Sequence, residues 1–146
     1  MTSETAMASA DIQRLILLTE KLTARLETET ASFAARRPQD VTASLPETQE
    51  LANQYRRESA QLKANRALLN AAPASDRMAL VRATQTFETV LEIHARAVDA
   101  ARIISEGLVK TIAGEVASSR AVGTGYGASG HASLGDGRAI TFNRTA

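Results

Sequence analysis

The sequence has no cysteine, no tryptophan and very few other aromatic residues. Aromatic side chains make up 3% of the 146 residues, and alanine supplies much of the 44% apolar content. Without cysteine the chain has neither disulfides nor thiolate metal sites, which fits a cytoplasmic protein. Because an alanine contact buries less apolar area than a leucine or phenylalanine contact, we expect a thin core and modest stability.

The chain also lacks an excess of charge of one sign and lacks long apolar runs. Its formal net charge is +1, with acidic and basic residues mixed throughout. Such a balance gives no single-sign field that would neutralise phosphates, so nucleic acid is not an expected partner. No apolar stretch reaches the length of a membrane span, and Met1–Ala10 lacks the basic start and apolar run of a signal peptide. We therefore expect a cytoplasmic protein that does not insert into a membrane.

The apolar periodicity predicts three helices separated by two turns. Asp11 is a suitable N-cap for the first, and Pro38 prevents its continuation. Ser44 begins a capping-box pattern that opens the second, and Pro73 ends it. The predicted helices cover residues 11–37, 44–71 and 75–120.

A long repeat of alternating three- and four-residue steps runs through the third helix. Its positions are Leu80, Thr84, Phe87, Leu91, His94, Val98, Ala101, Ser105, Leu108 and Ile112. At 1.5 Å per residue, a helix of this length spans roughly 65 Å, too long for a partner in a compact globule. The sequence thus predicts an all-α fold: an elongated antiparallel three-helix coiled-coil-like bundle with one long C-terminal helix.

The two ends of the chain differ from this helical domain. Val122–Ala146 holds six of the eight glycines and only scattered apolar residues. Such a segment buries too little surface to offset its ordering entropy, so we expect a disordered, flexible tail over residues 121–146. The polar residues 1–10 are also expected to be disordered.

The distal part of the third helix carries an apolar stripe, Ile104, Leu108, Ile112 and Val116. The first two predicted helices are too short to cover the full length of the third. The stripe is then either covered by dimerisation, by folding back or by the first helix, or it binds an amphipathic helix of another protein. The sequence leaves both interpretations open.

No constellation of residues supports catalysis. Gly125, Gly127 and Gly130 follow the GxGxxG pattern, but the strand and βαβ unit that a dinucleotide site requires are missing. His94 lies on the helix seam, where a single histidine is usually a packed residue, and His131 is interpreted as a solvated tail residue. We therefore expect no enzyme activity, no cofactor and no metal site.

Short motifs in three regions carry a resemblance to a known family. They are an N-terminal leucine helix with Leu15, Leu18 and Leu22, a middle helix with Leu62-Lys63-Ala64-Asn65-Arg66 and Leu68-Leu69-Asn70, and a tail with Tyr126-Gly127-Ala128-Ser129-Gly130. Together with the long third helix, they resemble the FlgN-type flagellar export chaperones, a family taken to include FlbY-like flagellar proteins.

The resemblance implies a cytoplasmic, non-catalytic chaperone that binds the helical C-termini of flagellar hook-filament junction proteins. It further implies delivery of these clients to the cytoplasmic domain of the flagellar type III export gate. In this interpretation the stripe at Ile104, Leu108, Ile112 and Val116 binds the client, and Tyr126 docks on the gate. The sequence departs from the family in a tail segment that contains Ile140 and Phe142, and these two residues are a candidate secondary anchor.

Two other interpretations remain. A structural or scaffolding coiled-coil protein associated with flagellar assembly would show the same heptads but would self-associate stably, whereas the chaperone is expected to be a monomer or weak dimer. A phosphotransfer bundle would require His94 to be exposed to solvent.

Overall fold

The computed structural model describes residues 2–125, with side chains through residue 121. Nearly all of this region is helical, and it contains no strand. The four helices are α1 (Ser3–Ala34), α2 (Pro38–Ala64), α3 (Arg66–Ala71) and α4 (Ala74–Gly125). The all-α prediction is therefore confirmed, with one short helix more than the three expected. The predicted tail lies almost wholly outside the described residues.

The chain divides into two units, Met1–Asp99 and Ala100–Ala146. The first unit contains α1, α2, α3 and the first half of α4, and it holds all the buried apolar side chains of the described region. None of the described helices has the length and hydropathy of a membrane span.

Two interhelical ion pairs show that α1 and α2 run antiparallel. Arg14 near the start of α1 pairs with Glu58 near the end of α2, with 4.0 Å between Nε and Oε1. Arg25, further along α1, pairs with Glu47, which lies earlier in α2. The tight connection at residues 35–37 between the two helices requires this arrangement.

In contrast, α1 and the first half of α4 run parallel. Ser9 donates a hydrogen bond of 2.5 Å from its hydroxyl to Oδ2 of Asp76 at the start of α4. Twenty residues later on α1, Glu29 contacts His94 on α4. α2 connects these two parallel helices and runs antiparallel to both. This gives the up-down-up order of the predicted bundle.

The core consists of two apolar clusters along α1. In the first, Ala8 and Ile12 pack with Ala72, next to half-buried Leu69 and Leu80. The tight turn between α3 and α4 is thereby anchored to the N-terminal part of α1.

The second cluster contains the aromatic residues Phe87 and Tyr55. Leu22 and Leu26 of α1 pack on Phe87 of α4, and Leu51 of α2 closes the cluster. The Phe87 ring meets the Tyr55 ring at a centroid distance of 5.1 Å and an interplanar angle of 43°. These three-helix contacts fix the first half of α4 against α1 and α2.

Polar positions on the buried face of α1 satisfy their hydrogen bonds locally. Thr19 and Thr23 each donate to the carbonyl four residues earlier, both at 2.7 Å. A threonine hydroxyl bonded in this way adds little polarity to the core, so α1 keeps an almost continuous buried stripe.

α1 begins earlier than predicted. Thr2 caps it, because its side-chain oxygen accepts from the Thr5 backbone N–H at 3.2 Å. The residues expected to be disordered, 3–10, are helical because Ala8 is buried against Ala72. Asp11, expected to be the N-cap, lies inside the helix and forms an i,i+3 ion pair with Arg14.

α2 also departs from its predicted bounds. It starts at Pro38 instead of residue 44, and Pro46 lies inside the helix. Buried Val41 and Thr48 hold the turns on both sides of Pro46, which offsets the hydrogen bond that proline cannot donate. Asn65 ends α2 and caps α3 by accepting from the Leu68 N–H at 3.1 Å, so the helix predicted over 44–71 is divided there.

The seam of α4 is displaced by one residue from the prediction at alternate positions. Leu80, Phe87 and His94 lie on it as expected and the predicted Thr84 is half-buried, but Val90 and Ala97 take the places of two predicted positions. The predicted Leu91 and Val98 are instead exposed. Val90 and Ala97 are seven residues apart, and so are Leu91 and Val98. The larger aliphatic residues, Leu91 and Val98, belong to the set that α1 does not cover.

The turn after α1 contains a non-glycine residue in the left-handed region. Arg36 has φ 59°, the Arg37 N–H donates to the Ser32 carbonyl at 2.8 Å, and the Arg36 N–H donates to the Phe33 carbonyl at 3.0 Å. This pair of bonds is the Schellman motif, in which glycine is the preferred residue at the left-handed position. Arginine is strained there because of its Cβ.

Replacing Arg36 with glycine should therefore stabilise the protein. We expect Arg36→Gly to raise the free energy of unfolding by about 1 kcal/mol, measured by urea denaturation. Arg36→Ala is the matched control, since it removes the same charge and keeps the strain. Equal stability of the two variants would show that the left-handed strain is not relieved by glycine.

Candidate partner-binding surface

The four residues predicted to bind a client are exposed on α4. Ile104 is 64% exposed, Leu108 59%, Ile112 50% and Val116 37%. The described part of the chain therefore does not bury the stripe. Coverage by the first helix or by folding back, which the sequence left open, is not observed among the described residues. Ile103 and Val109, which the sequence analysis did not select, are exposed beside it.

The length of α1 explains where coverage of α4 ends. Glu29 lies opposite His94, and α1 ends five residues later at Ala34. In a parallel pair these last residues of α1 lie beside α4 up to about Asp99, the last residue of the first unit. The sequence of α4 nevertheless continues its apolar pattern beyond that point.

The stripe follows a steeper path than the seam of the first unit. Its members are four residues apart, so they form one i±4 row of the helix surface, whereas the covered seam alternates steps of three and four. A heptad seam suits a helix packed at a small angle, and an i±4 ridge suits the larger crossing angle of about 50°.

The rows on the two sides of this stripe contain small residues as well as Ile103 and Val109. Gly107 and Thr111 lie on one side, and Ala113 and Ala117 on the other. A Cβ placed on Gly107 or Gly114 would meet no atom within 4 Å, so no contact in the described region explains either glycine. Each costs the helix up to about 1 kcal/mol relative to alanine, and in return allows close approach of a partner backbone.

Charges near the stripe are few and mixed. Arg102 and Glu106 form an i,i+4 ion pair with 3.9 Å between Nη1 and Oε1. Lys110 and Glu115 are exposed. With no dominant sign of charge, recognition on this surface is expected to rest on apolar contact.

The predicted tail residues are not part of this surface as described. Tyr126, Ile140 and Phe142 lie outside the described residues. Their assignments as export-gate docking residue and secondary anchor stay predictions.

His94, the residue on which a phosphotransfer role would depend, faces the interior. Its side chain is 16% exposed, its Nε2 lies 3.7 Å from Oε1 of Glu29, and its ring meets the Phe33 ring edge-on at 6.3 Å. The exposure that this interpretation requires is therefore not present. No cluster of metal-ligating side chains occurs among the described residues.

A comparison with known proteins identifies the family. The flagellar basal-body protein FlbY of Caulobacter vibrioides is 44% identical over 148 aligned residues, which cover 97% of this chain and 99% of FlbY. This chain belongs to the FlgN/FlbY-like family of flagellar proteins. The family resemblance read from the sequence motifs is thereby confirmed. No family model matches the sequence, and no solved structure matches it.

The buried Glu29–His94 pair of this FlbY-like chain gives a test of its core. The Glu29 side chain is 5% exposed, its Oε2 has no hydrogen-bond partner, and the 3.7 Å contact exceeds hydrogen-bond length. We expect His94→Leu to lower the free energy of unfolding by about 3 kcal/mol, because it leaves a buried carboxylate without its partner.

The double substitution Glu29→Leu with His94→Leu should restore wild-type stability or exceed it, since both polar groups are then replaced by apolar ones. Urea denaturation of the wild type, the two single variants and the double variant measures the coupling. A coupling free energy near zero would mean that the two side chains act independently.

Proposed function

We propose that this chain acts in flagellar assembly as a cytoplasmic export chaperone for hook-filament junction proteins. The observation that carries the proposal is the exposure of four aliphatic side chains in one row of α4, Ile104, Leu108, Ile112 and Val116. Family membership supports a flagellar role, and the exposed apolar ridge supports binding of an amphipathic client helix.

The size of the stripe suits a carrier that must release its client. Burying the exposed parts of four aliphatic side chains contributes roughly 5 kcal/mol. Association costs about 4 kcal/mol or more in lost translational and rotational freedom. The stripe alone therefore gives weak binding. Burial of Ile103 and Val109 and close approach across Gly107 would raise the affinity, while the complex would still dissociate readily.

Delivery of the client requires a second contact, which we assign to the tail. Tyr126 is flanked by Gly125 and Gly127, and tyrosine buries a large area with few rotamers to fix. It would dock on the cytoplasmic domain of the type III export gate while α4 holds the client. Ile140 and Phe142 supply a secondary anchor.

A structural role in flagellar assembly is the second candidate. A relative that aligns with 97% of this chain is named a flagellar basal-body protein, which supports a structural part of the assembly as the alternative. In that case the same stripe would mediate stable self-association. Light scattering on the free chain separates the two, because a carrier is a monomer or weak dimer and a scaffold is a stable oligomer.

The stripe is tested by Leu108→Asp combined with Ile112→Asp. Calorimetric titration with the C-terminal helical segments of the host's junction proteins should show loss of binding, because two carboxylates would be buried against an apolar helix. Helical signal should change little, since both side chains are exposed.

Met78→Asp with Val81→Asp is the matched control for this test. These residues are similarly exposed on the same helix but lie in the first unit. Client binding that survives the change at Leu108 and Ile112, or a large loss of helicity in that variant, would contradict the proposed surface.

The tail is tested separately by Tyr126→Ala. Client binding should remain at the wild-type level, and binding to the cytoplasmic domain of the export gate should weaken, because the substitution removes the anchor and leaves α4 unchanged. Parallel titrations with client and gate measure this, with Tyr55→Phe as a control for loss of a tyrosine elsewhere. Equal loss of both interactions would refute the division of roles between α4 and the tail.

A further inference from the structure

An open apolar groove runs between α2 and α4 within the first unit. Its volume is about 480 Å³, and Leu15 and Thr19 of α1 form its floor. Tyr55 and Leu62 of α2 line one wall, and Leu80 of α4 lines the other. The groove therefore reaches the buried stripe of α1 from the surface.

α4 presents a second apolar column beside this groove. Thr84 lines the groove, and Leu91 and Val98 follow it at seven-residue steps on the same face of the helix. Leu91 is 43% exposed and Val98 40%. A helix whose apolar face is wider than one seam is typical of a bundle in which it packs on two neighbours. α1 covers only the first column.

The rims of the groove carry opposite charges. Arg56 and Lys63 lie on the α2 wall, seven residues apart, and Glu88 lies on the α4 wall. Arg56 donates to the amide oxygen of Asn53 at 3.1 Å, and among the described residues neither cation is paired with a carboxylate. Charges spaced by a heptad beside an apolar seam are the arrangement that selects a partner helix in bundles.

The groove on the other side of α4 has a different character. It lies between α1 and α4, and Glu20, Glu27 and Arg82 line it together with alanine and threonine side chains. Ile16 is its one large aliphatic side chain, so this lining is more polar than that of the groove between α2 and α4. The apolar character is therefore specific to the side between α2 and α4.

We infer that this groove binds an amphipathic helix of another protein, which completes a four-helix bundle. Its aliphatic seam would lie over Leu15, Leu80 and Leu91, and its acidic flank would lie beside Arg56 and Lys63. A second copy of this chain fits less well, because its own exposed apolar stripe, Ile104 to Val116, has few and mixed charges beside it and lacks the acidic flank that Arg56 and Lys63 favour. The inference does not depend on the distal stripe, since the groove lies wholly in the first unit.

The charge of the partner is tested with two synthetic three-heptad peptides on the full-length chain. Both have leucine at the seam positions and uncharged residues on the flank beside Glu88, and the flank beside Arg56 and Lys63 is glutamate in one and lysine in the other. By fluorescence anisotropy at low ionic strength, the glutamate peptide should bind roughly tenfold more tightly. Arg56→Glu with Lys63→Glu should reverse this preference.

Arg57→Glu with Arg66→Glu is the matched control, because it changes the net charge equally at exposed arginines that do not line the groove. The preference for the glutamate peptide should persist in this variant. Equal binding of the two peptides by the wild type, or the same response of both charge variants, would overturn the proposed acidic partner.

The apolar seam is tested by Leu91→Asp, with Ile93→Asp as its control. Ile93 is 49% exposed on the same helix but faces away from the groove column. Leu91→Asp should weaken binding of the glutamate peptide by more than tenfold, and Ile93→Asp should leave it unchanged. Equal effects would overturn the assignment of the groove.

Two further outcomes separate this inference from the proposed chaperone role. The Leu108→Asp with Ile112→Asp variant should bind the glutamate peptide as the wild type does, and loss of binding there would overturn the groove as the site. A stable dimer by light scattering that Leu91→Asp dissociates would show that a second copy occupies the groove, which also overturns the inference.

Discussion

Burial of the apolar stripe of α1 is the interaction on which the other features of the first unit depend. Six of the nine buried apolar side chains in the described region belong to α1, so α2, α3 and the first half of α4 are held mainly by packing against this helix. The parallel pairing with α4 is set by contacts at both ends, from Ser9 with Asp76 to Glu29 with His94. The point at which α1 ends then determines how much of α4 it can cover.

The core is narrow, and its polar positions contribute to specificity. Threonines on the buried face of α1 bond to their own helix, whereas Glu29 reaches across to His94. A buried charged residue contributes little to stability after its desolvation cost, but a register shifted by one turn would leave it without a partner. The pair therefore favours one alignment of two long helices whose apolar repeats allow several.

Two groups of exposed apolar residues on α4 form surfaces with different geometry. The column with Leu91 and Val98 borders a groove with a charged rim, and the row from Ile104 to Val116 is a ridge bordered by small residues. The groove suits a helix that lies along the bundle, and the ridge suits a helix that crosses at a larger angle. Leu91, Val98 and the row from Ile104 to Val116 are exposed, so binding there would bury side chains that the first unit does not need for its own core. A partner could then leave without unfolding the protein.

The sequence by itself determined the helical class, the Pro73 break, the amphipathic stripe of the first helix, the long final helix and the family. These features follow from local periodicity, proline chemistry and short motifs, which act within one helix. Which α4 column is buried was decided by the tertiary structure. Leu91 and Val98 are more apolar than Ala83 and Ala97, yet the two alanines are half-buried and Leu91 and Val98 are exposed. Helix ends were likewise decided by packing, since buried Ala8 extends α1 and buried Val41 and Thr48 carry α2 through Pro46. The exposure of Ile104, Leu108, Ile112 and Val116 was suggested by the helix lengths, and the structure gives each of these side chains as exposed.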